Sequence, residues 1–154
     1  MKIDYLGHHL DTLPELAQLH YDEWKHFSPD KTLEDRVIKL REVAESSDVP
    51  FIVVAIEDEQ LMGSAALVNE DMRTRTDLSP WLASVFVKPE LRNNGIARRL
   101  VRHIEGEAAR RGIAKLYLYT EHARDLYIKL GWCDLEDCEY QGVKVSIMFK
   151  EFSP

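Results

Sequence analysis

Residues Val87 to Val101 read "VKPELRNNGIARRLV". They follow "WLASVFV" (Trp81 to Val87), a β-branched and aromatic run that is apolar on both faces and so predicts a central strand. Beyond the asparagines, Ile96, Leu100, Val101, Ile104 and Ala108 recur at helical spacing. Gly112 stands where a glycine cap closes a helix, so a helix is predicted from Gly95 to Arg111. The stretch is therefore the junction of a central strand and a long amphipathic helix, and the rest of the chain is read outward from it.

The junction is also a charge anomaly. Lys88 to Arg111 carries seven Lys/Arg against three Glu, net +4, so the other residues carry −11 of the chain's total of −7. A helix start offers unpaired N–H groups and a partial positive charge. Gly95 has no Cβ to hold a ligand away from the backbone. Together these features predict an anion site, most naturally for phosphate.

On both sides of the junction the texture alternates. "KIDYL" reads as a short strand, and "DTLPELAQLHYDEWKHF" as a helix with a Thr12-x-x-Glu15 capping box and Pro14 in its first turn. Leu13, Leu16, Ala17, Leu19 and His20 recur along it at helical spacing. A second start signal, Thr32-x-x-Asp35, opens a helix whose Leu33, Val37, Leu40, Val43 and Ala44 share one face. "PFIVVAIEDEQLMGSAALV" reads as a hairpin turning at Glu57 to Gln60. After the long helix come the strand "AKLYLYT", a short helix closed by Gly131, and a last hairpin turning at Gln141-Gly142. The predicted order is β, α, α, β, β, β, α, β, α, β, β. It implies an α/β fold in one domain over residues 1–154, with a mixed sheet and helices on both of its faces.

Composition narrows the function classes. A chain of 154 residues fits one domain and needs no disulfide or metal staple. The net charge of −7 argues against a broad nucleic-acid footprint. Cys133 and Cys138 fit neither a disulfide framework nor a zinc pattern, and read as reduced thiols. The longest apolar run, "FIVVAI" (Phe51 to Ile56), is too short to span a bilayer, and Asp4 and "GHH" interrupt any apolar signal segment. The expectation is a cytoplasmic protein with no membrane and no nucleic-acid partner, monomer or homodimer. The six histidines contain no H-E-x-x-H, so no metal is predicted, and no G-x-S-x-G elbow is present.

The junction fits neither the P-loop pattern G-x-x-x-x-G-K-[ST] nor the dinucleotide pattern G-x-G-x-x-G. What remains is a strand, then V-x-P-x-x-R-x-x-G-I-A, then a helix. Arg92-Asn93-Asn94-Gly95-Ile96-Ala97 resembles the acetyl-CoA signature of the GNAT superfamily of N-acetyltransferases. "LYLYT" and "DLYIKLGW" resemble that family's second motif, a strand and then a helix carrying a tyrosine. The resemblance is close from Trp81 to Trp132.

It implies acetyl-CoA as the acetyl donor and a small-molecule amine or peptide as the acceptor. Backbone groups of Val85, Phe86 and Val87 would pair with the pantetheine arm. The N–H groups of Asn93, Asn94, Gly95, Ile96, Ala97 and Arg98, with the charge of Arg92, would hold the pyrophosphate. Tyr127 would sit near the thioester sulfur as the acid, since a phenol holds its proton at neutral pH. Where some relatives carry a catalytic glutamate this chain has Trp81, which cannot be a base. Glu121 and Asp77 are the nearest acids in sequence, and a chain of waters is the alternative. Trp81 and Glu121 are placed on the acceptor side; Trp24, His26 and Phe27 end a segment that borders the acceptor pocket in the family. The acid outside the junction favours a cationic acceptor, such as a polyamine, an aminoglycoside-like amine or a basic peptide end. A CoA-binding sensor without turnover is the rival reading, because the glutamate is missing.

Overall fold

A computed structural model of the protein describes residues 1–152. Among these the order is β1 (Lys2–Tyr5), α1 (Leu13–Trp24), α2 (Leu33–Ala44), β2 (Phe51–Glu57), β3 (Gln60–Val68), β4 (Trp81–Val87), α3 (Ile96–Arg110), β5 (Lys115–Thr120), α4 (Arg124–Lys129), β6 (Cys133–Tyr140) and β7 (Val143–Glu151). This is the order expected from the sequence. The strands form one sheet in the order β1-β2-β3-β4-β5-β7-β6. Every neighbouring pair is antiparallel except β4 and β5. That parallel pair is the one joined through α3, as a parallel connection requires a crossover. β4 is the middle strand, as its two apolar faces predicted.

Local chemistry explains most of the turns. Both predicted hairpins close through two residues at positive φ, Asp58 (50°) with Glu59 (64°) and Gln141 (53°) with Gly142 (77°). This geometry matches the twist of the strands they join. Thr32 caps α2 as expected, with a reciprocal box between its hydroxyl and Asp35. Thr12 does not cap α1. A short 3-10 turn, Leu10–Thr12, precedes the helix and leaves Thr12 in helical backbone, with its hydroxyl donating to the His9 carbonyl at 2.7 Å. Glu15, freed from the predicted box, pairs with Lys88 at 2.8 Å.

Two cores lie on opposite faces of the sheet. On one, Ile96, Leu100, Val101, Ile104 and Ala108 of α3 pack with Tyr127 of α4 against Phe51, Val53, Leu67, Leu82 and Leu116. Fully buried Leu and Ile side chains there contribute about 1.5–3 kcal/mol each by leaving water. On the other face, α1 and α2 bring Leu13, Leu16, Ala17, Leu40 and Ala44 onto Ile52, Val54 and Ile56. A third cluster, built on Trp81, Phe27, Met72 and Tyr140, runs from β4 across to β7 and β6.

Candidate active site

β4 and β5 are in register only at Trp81 and Tyr117, where Tyr117 N–H donates to the Pro80 carbonyl. Beyond that point they part, and the β5-facing edge of β4 has no strand partner. On its other side β4 carries a bulge. Between the pairs Ser64–Phe86 and Ala66–Ala83 it uses three steps where β3 uses two, and Ser84 takes a φ of 54°. A bulge adds local twist and re-aims the strand's groups. Gly63 makes the close approach possible, because a Cβ there would lie 2.3 Å from the Phe86 carbonyl oxygen. A cavity of about 980 Å³ fills the fork and is lined by β4 from Leu82 to Val87, by Leu118 to Thr120, and by α1, α2 and α4.

One end of the cavity meets the junction loop. Asn93 (φ 66°) and Gly95 (φ 80°) both lie in the left-handed region. Gly95 is the N-cap of α3, provides no side-chain cap, and faces open space with nothing within 4 Å of a Cβ position. The first helical bond runs from Arg99 N–H to the Gly95 carbonyl, so the N–H groups of residues 93–98 make no hydrogen bond among the described residues. No acidic residue occupies the first turn. Such a terminus can receive an anion. Of the residues expected here, Val85, Phe86, Val87, Arg92, Asn93, Gly95, Ile96, Ala97 and Arg98 line the cavity. Asn94 does not: its side-chain amide turns back to the Leu91 and Arg92 carbonyls and ties the loop. The Arg92 guanidinium also has local work. It donates to the Val87 carbonyl at 2.9 Å, pairs with Glu23 at 3.3 Å and stands over the Phe86 ring.

Across the fork, Tyr127 lines the cavity from α4, and burial pushes its phenol above the ordinary value. Glu121 also lines it and bonds His26 at 2.9 Å; Trp24 and Phe27 complete that wall. Two residues named from the sequence lie away from the cavity. Trp81 is fully buried, with its indole N–H on the Leu78 carbonyl, and does not line the cavity. Asp77 is exposed on the β3–β4 loop, paired with Arg75, and lies outside the cavity.

The sequence reading missed the polar cluster at the centre. Asp71, from the β3–β4 loop, lines the cavity, and burial of its carboxyl pushes it up to about 7 against the pull of the Arg36 charge. Arg36 Nη2 donates to His20 Nδ1 at 2.6 Å and to Ser84 Oγ at 3.2 Å. His20 Nε2 meets Ser64 Oγ at 2.8 Å, and Ser64 donates to the Ser84 carbonyl at 2.8 Å. Counting protons assigns the tautomer. Ser64 spends its one hydrogen on Ser84, so it accepts from Nε2–H, and Nδ1 is bare to accept from Arg36. His20 is thus neutral, and burial first, then the Arg36 charge, hold it well below the usual imidazole range. Burial, and then the Asp71 and Tyr140 charges, push the Tyr119 phenol up beside them. No motif marks this cluster; its members come from α1, α2, β3, β4, β5 and a loop.

Among the described residues no group of His, Cys, Asp and Glu is arranged to hold a metal ion. Among the described residues no helix is long and apolar enough to cross a membrane.

With this geometry in hand, the chain can be set beside known proteins. The acetyltransferase (GNAT) family model matches residues 13–132. A search of curated proteins finds no significant match. An aminoglycoside 6'-N-acetyltransferase solved with coenzyme A superposes with a TM-score of 0.75 at 19% identity, over 100% of this chain and 98% of that one. The aminoglycoside 6'-N-acetyltransferase from Enterococcus faecium gives 0.75 at 20%, covering 100% and 98%. The ribosomal-protein-alanine N-acetyltransferase from Brucella melitensis gives 0.72 at 20%, covering 99% and 100%.

Proposed function

Because the chain belongs to the acetyltransferase (GNAT) family, we propose that it transfers the acetyl group of acetyl-CoA to a primary amine of a small molecule or peptide, by direct attack in a ternary complex. The observation that carries this reading is the β4–β5 fork, with an open N–H loop at one end and a carboxyl and a phenol facing the same cavity. Structural neighbours are named for acetylating aminoglycosides and a ribosomal-protein alanine, both acceptors with an amine.

Acetyl-CoA supplies an acetyl group activated as a thioester. The edge of β4 at Val85, Phe86 and Val87 lacks a strand partner on the β5 side and is suited to pair with the pantetheine arm, although the Val87 carbonyl already accepts from Arg92. The N–H groups of residues 93–98, with Arg98 beside them, fit the pyrophosphate: Gly95 leaves the approach open, and no side chain occupies the cap. Asp71 takes the proton that the acceptor nitrogen must lose before its lone pair can attack. The carbon–nitrogen bond forms as the carbon–sulfur bond breaks, and the electron pair leaves with sulfur. Tyr127, kept protonated by burial, is the donor to the sulfur as charge develops there. Nitrogen gives up two protons: the first, lost by the ammonium, goes to Asp71 and on to solvent, and the second, lost as the amide forms, replaces the one Tyr127 gives to sulfur, so ammonium and thioester yield amide, thiol and one proton. A sensor without turnover drew its support from the missing glutamate; Asp71 offers a carboxyl from another element.

Thiol release from acetyl-CoA across a panel of primary amines tests the reading. Amine-dependent release is expected, and Tyr127→Phe should lower kcat by about 10²-fold. Binding of acetyl-CoA with no release for any amine would return the chain to the sensor reading.

A further inference from the structure

The cavity's charges disagree with an acceptor of many positive charges. Seven Lys/Arg but four Asp/Glu line it, in a chain whose total is −7. Three of the four acids are already engaged: Glu23 with Arg92, Asp35 in the α2 capping box, Glu121 with His26. That leaves Asp71. On the acceptor side Lys25, Lys31, Arg36, Lys39 and Arg73 line the same space, and none has a carboxylate within 4.0 Å among the described residues. The excess acid read from the sequence lies on other surfaces.

Arg36 is the informative cation. Its Nη2 donates to both His20 and Ser84, and the His20–Ser64–Ser84 chain supports those two acceptors. Its Nε is buried with no partner, and its Nη1 donates no hydrogen bond among the described residues. A guanidinium held at Nη2, with its Nη1 hydrogens unspent, is suited to receive an anion such as a carboxylate. It reaches the β4 bulge at Ser84, inside the fork where acetyl transfer is proposed, and Asp71 is close enough to feel its charge. An amine directed to Asp71 and an anion directed to Arg36 are thus close together. Trp24, Phe27, Tyr119 and Tyr140 supply an aromatic wall beside them.

We infer that the acceptor is an α-amino acid or a close analogue, its carboxylate received by Arg36 and its amine presented to Asp71. This rests on the acetyl-transfer reading and specifies its substrate class. It departs from the polyamine or aminoglycoside-like acceptor that overall charge suggested.

The test pairs each of a panel of α-amino acids with its own amide, with spermidine and an aminoglycoside alongside, and follows thiol release from acetyl-CoA. For the best amino acid, kcat/KM should exceed that of its amide by roughly tenfold or more, the scale of a charge-assisted hydrogen bond. In Arg36→Gln the acid-to-amide ratio should fall towards one, and Arg36→Lys should restore part of it. The ratio is internal to each variant, so partial misfolding does not move it. Turnover of the amide, spermidine or the aminoglycoside equal to that of the acid would overturn the inference, as would a ratio indifferent to Arg36→Gln. A second readout needs no turnover: the thermal shift of the CoA-saturated wild type with N-acetyl amino acids against their amides. A larger shift with the acids, lost in Arg36→Gln, supports the carboxylate site even if no amine is acetylated and the proposed reaction fails. Equal or absent shifts sink it.

Discussion

Asp71 is an acid whose ionisation the fold opposes. Burial favours its neutral form, Arg36 only partly offsets this, and the balance stands at about 7. The sign follows from linkage. The unfolded chain releases this proton near the ordinary value of 3.8, while the folded chain holds it to about 7. Between those values stability declines with rising pH, and above about 7 the penalty is complete. A side chain kept at such a cost is a functional candidate. For a base the working form is the carboxylate, so kcat/KM of the wild type should rise with pH through about 7. Asp71→Asn should flatten that limb and lower activity by about 10²-fold, while at pH 8 its stability relative to wild type should be better than at pH 5. Thermal melts and rates across pH 5–9 measure both. A profile unchanged by the substitution would remove Asp71 from the chemistry.

At the scale of elements, the fork depends on β4 more than on any helix. The strand pairs with β3 through a bulge and with β5 at one position. Gly63 sets the depth of the β3–β4 approach, since any side chain there meets the Phe86 carbonyl and Leu100. Both contacts are held, one by the sheet and one by the core of α3. Gly63→Ala should therefore cost about 1–3 kcal/mol, the usual range for overpacking. It should also raise the KM for acetyl-CoA, because the strand edge proposed to pair with the cosubstrate moves. Urea denaturation and initial rates check the two effects; a neutral substitution would mean that the bulge shifts freely and does not position the cleft.

Over the whole molecule the acidic surface and the basic cavity are segregated, and the open loop, the β4 edge and the cavity lie in one continuous cleft. Acetyl-CoA at about 100 times its Kd should stabilise the fold by about 2.7 kcal/mol. Desulfo-CoA should do nearly as well, because the proposed contacts are to the phosphates and the arm; a melt unmoved by either would exclude the cleft as the donor site. The element order, both hairpin turns, the Thr32 cap and the Gly95 loop were legible in the chain itself. Each is written over a few neighbouring residues, in a repeat period, a cap or a position at positive φ, and such signals act locally. Thr12 shows the limit, since the same capping pattern was overruled by a 3-10 turn just before it. The fork, the bulge at Ser84, the burial of Trp81, and the meeting of Asp71, Arg36 and His20 were decided only by the tertiary structure. They bind residues far apart, 44 positions from His20 to Ser64 and 48 from Arg36 to Ser84. Desolvation, which makes Asp71 a candidate base, exists only once those distant segments crowd around its half-buried carboxyl.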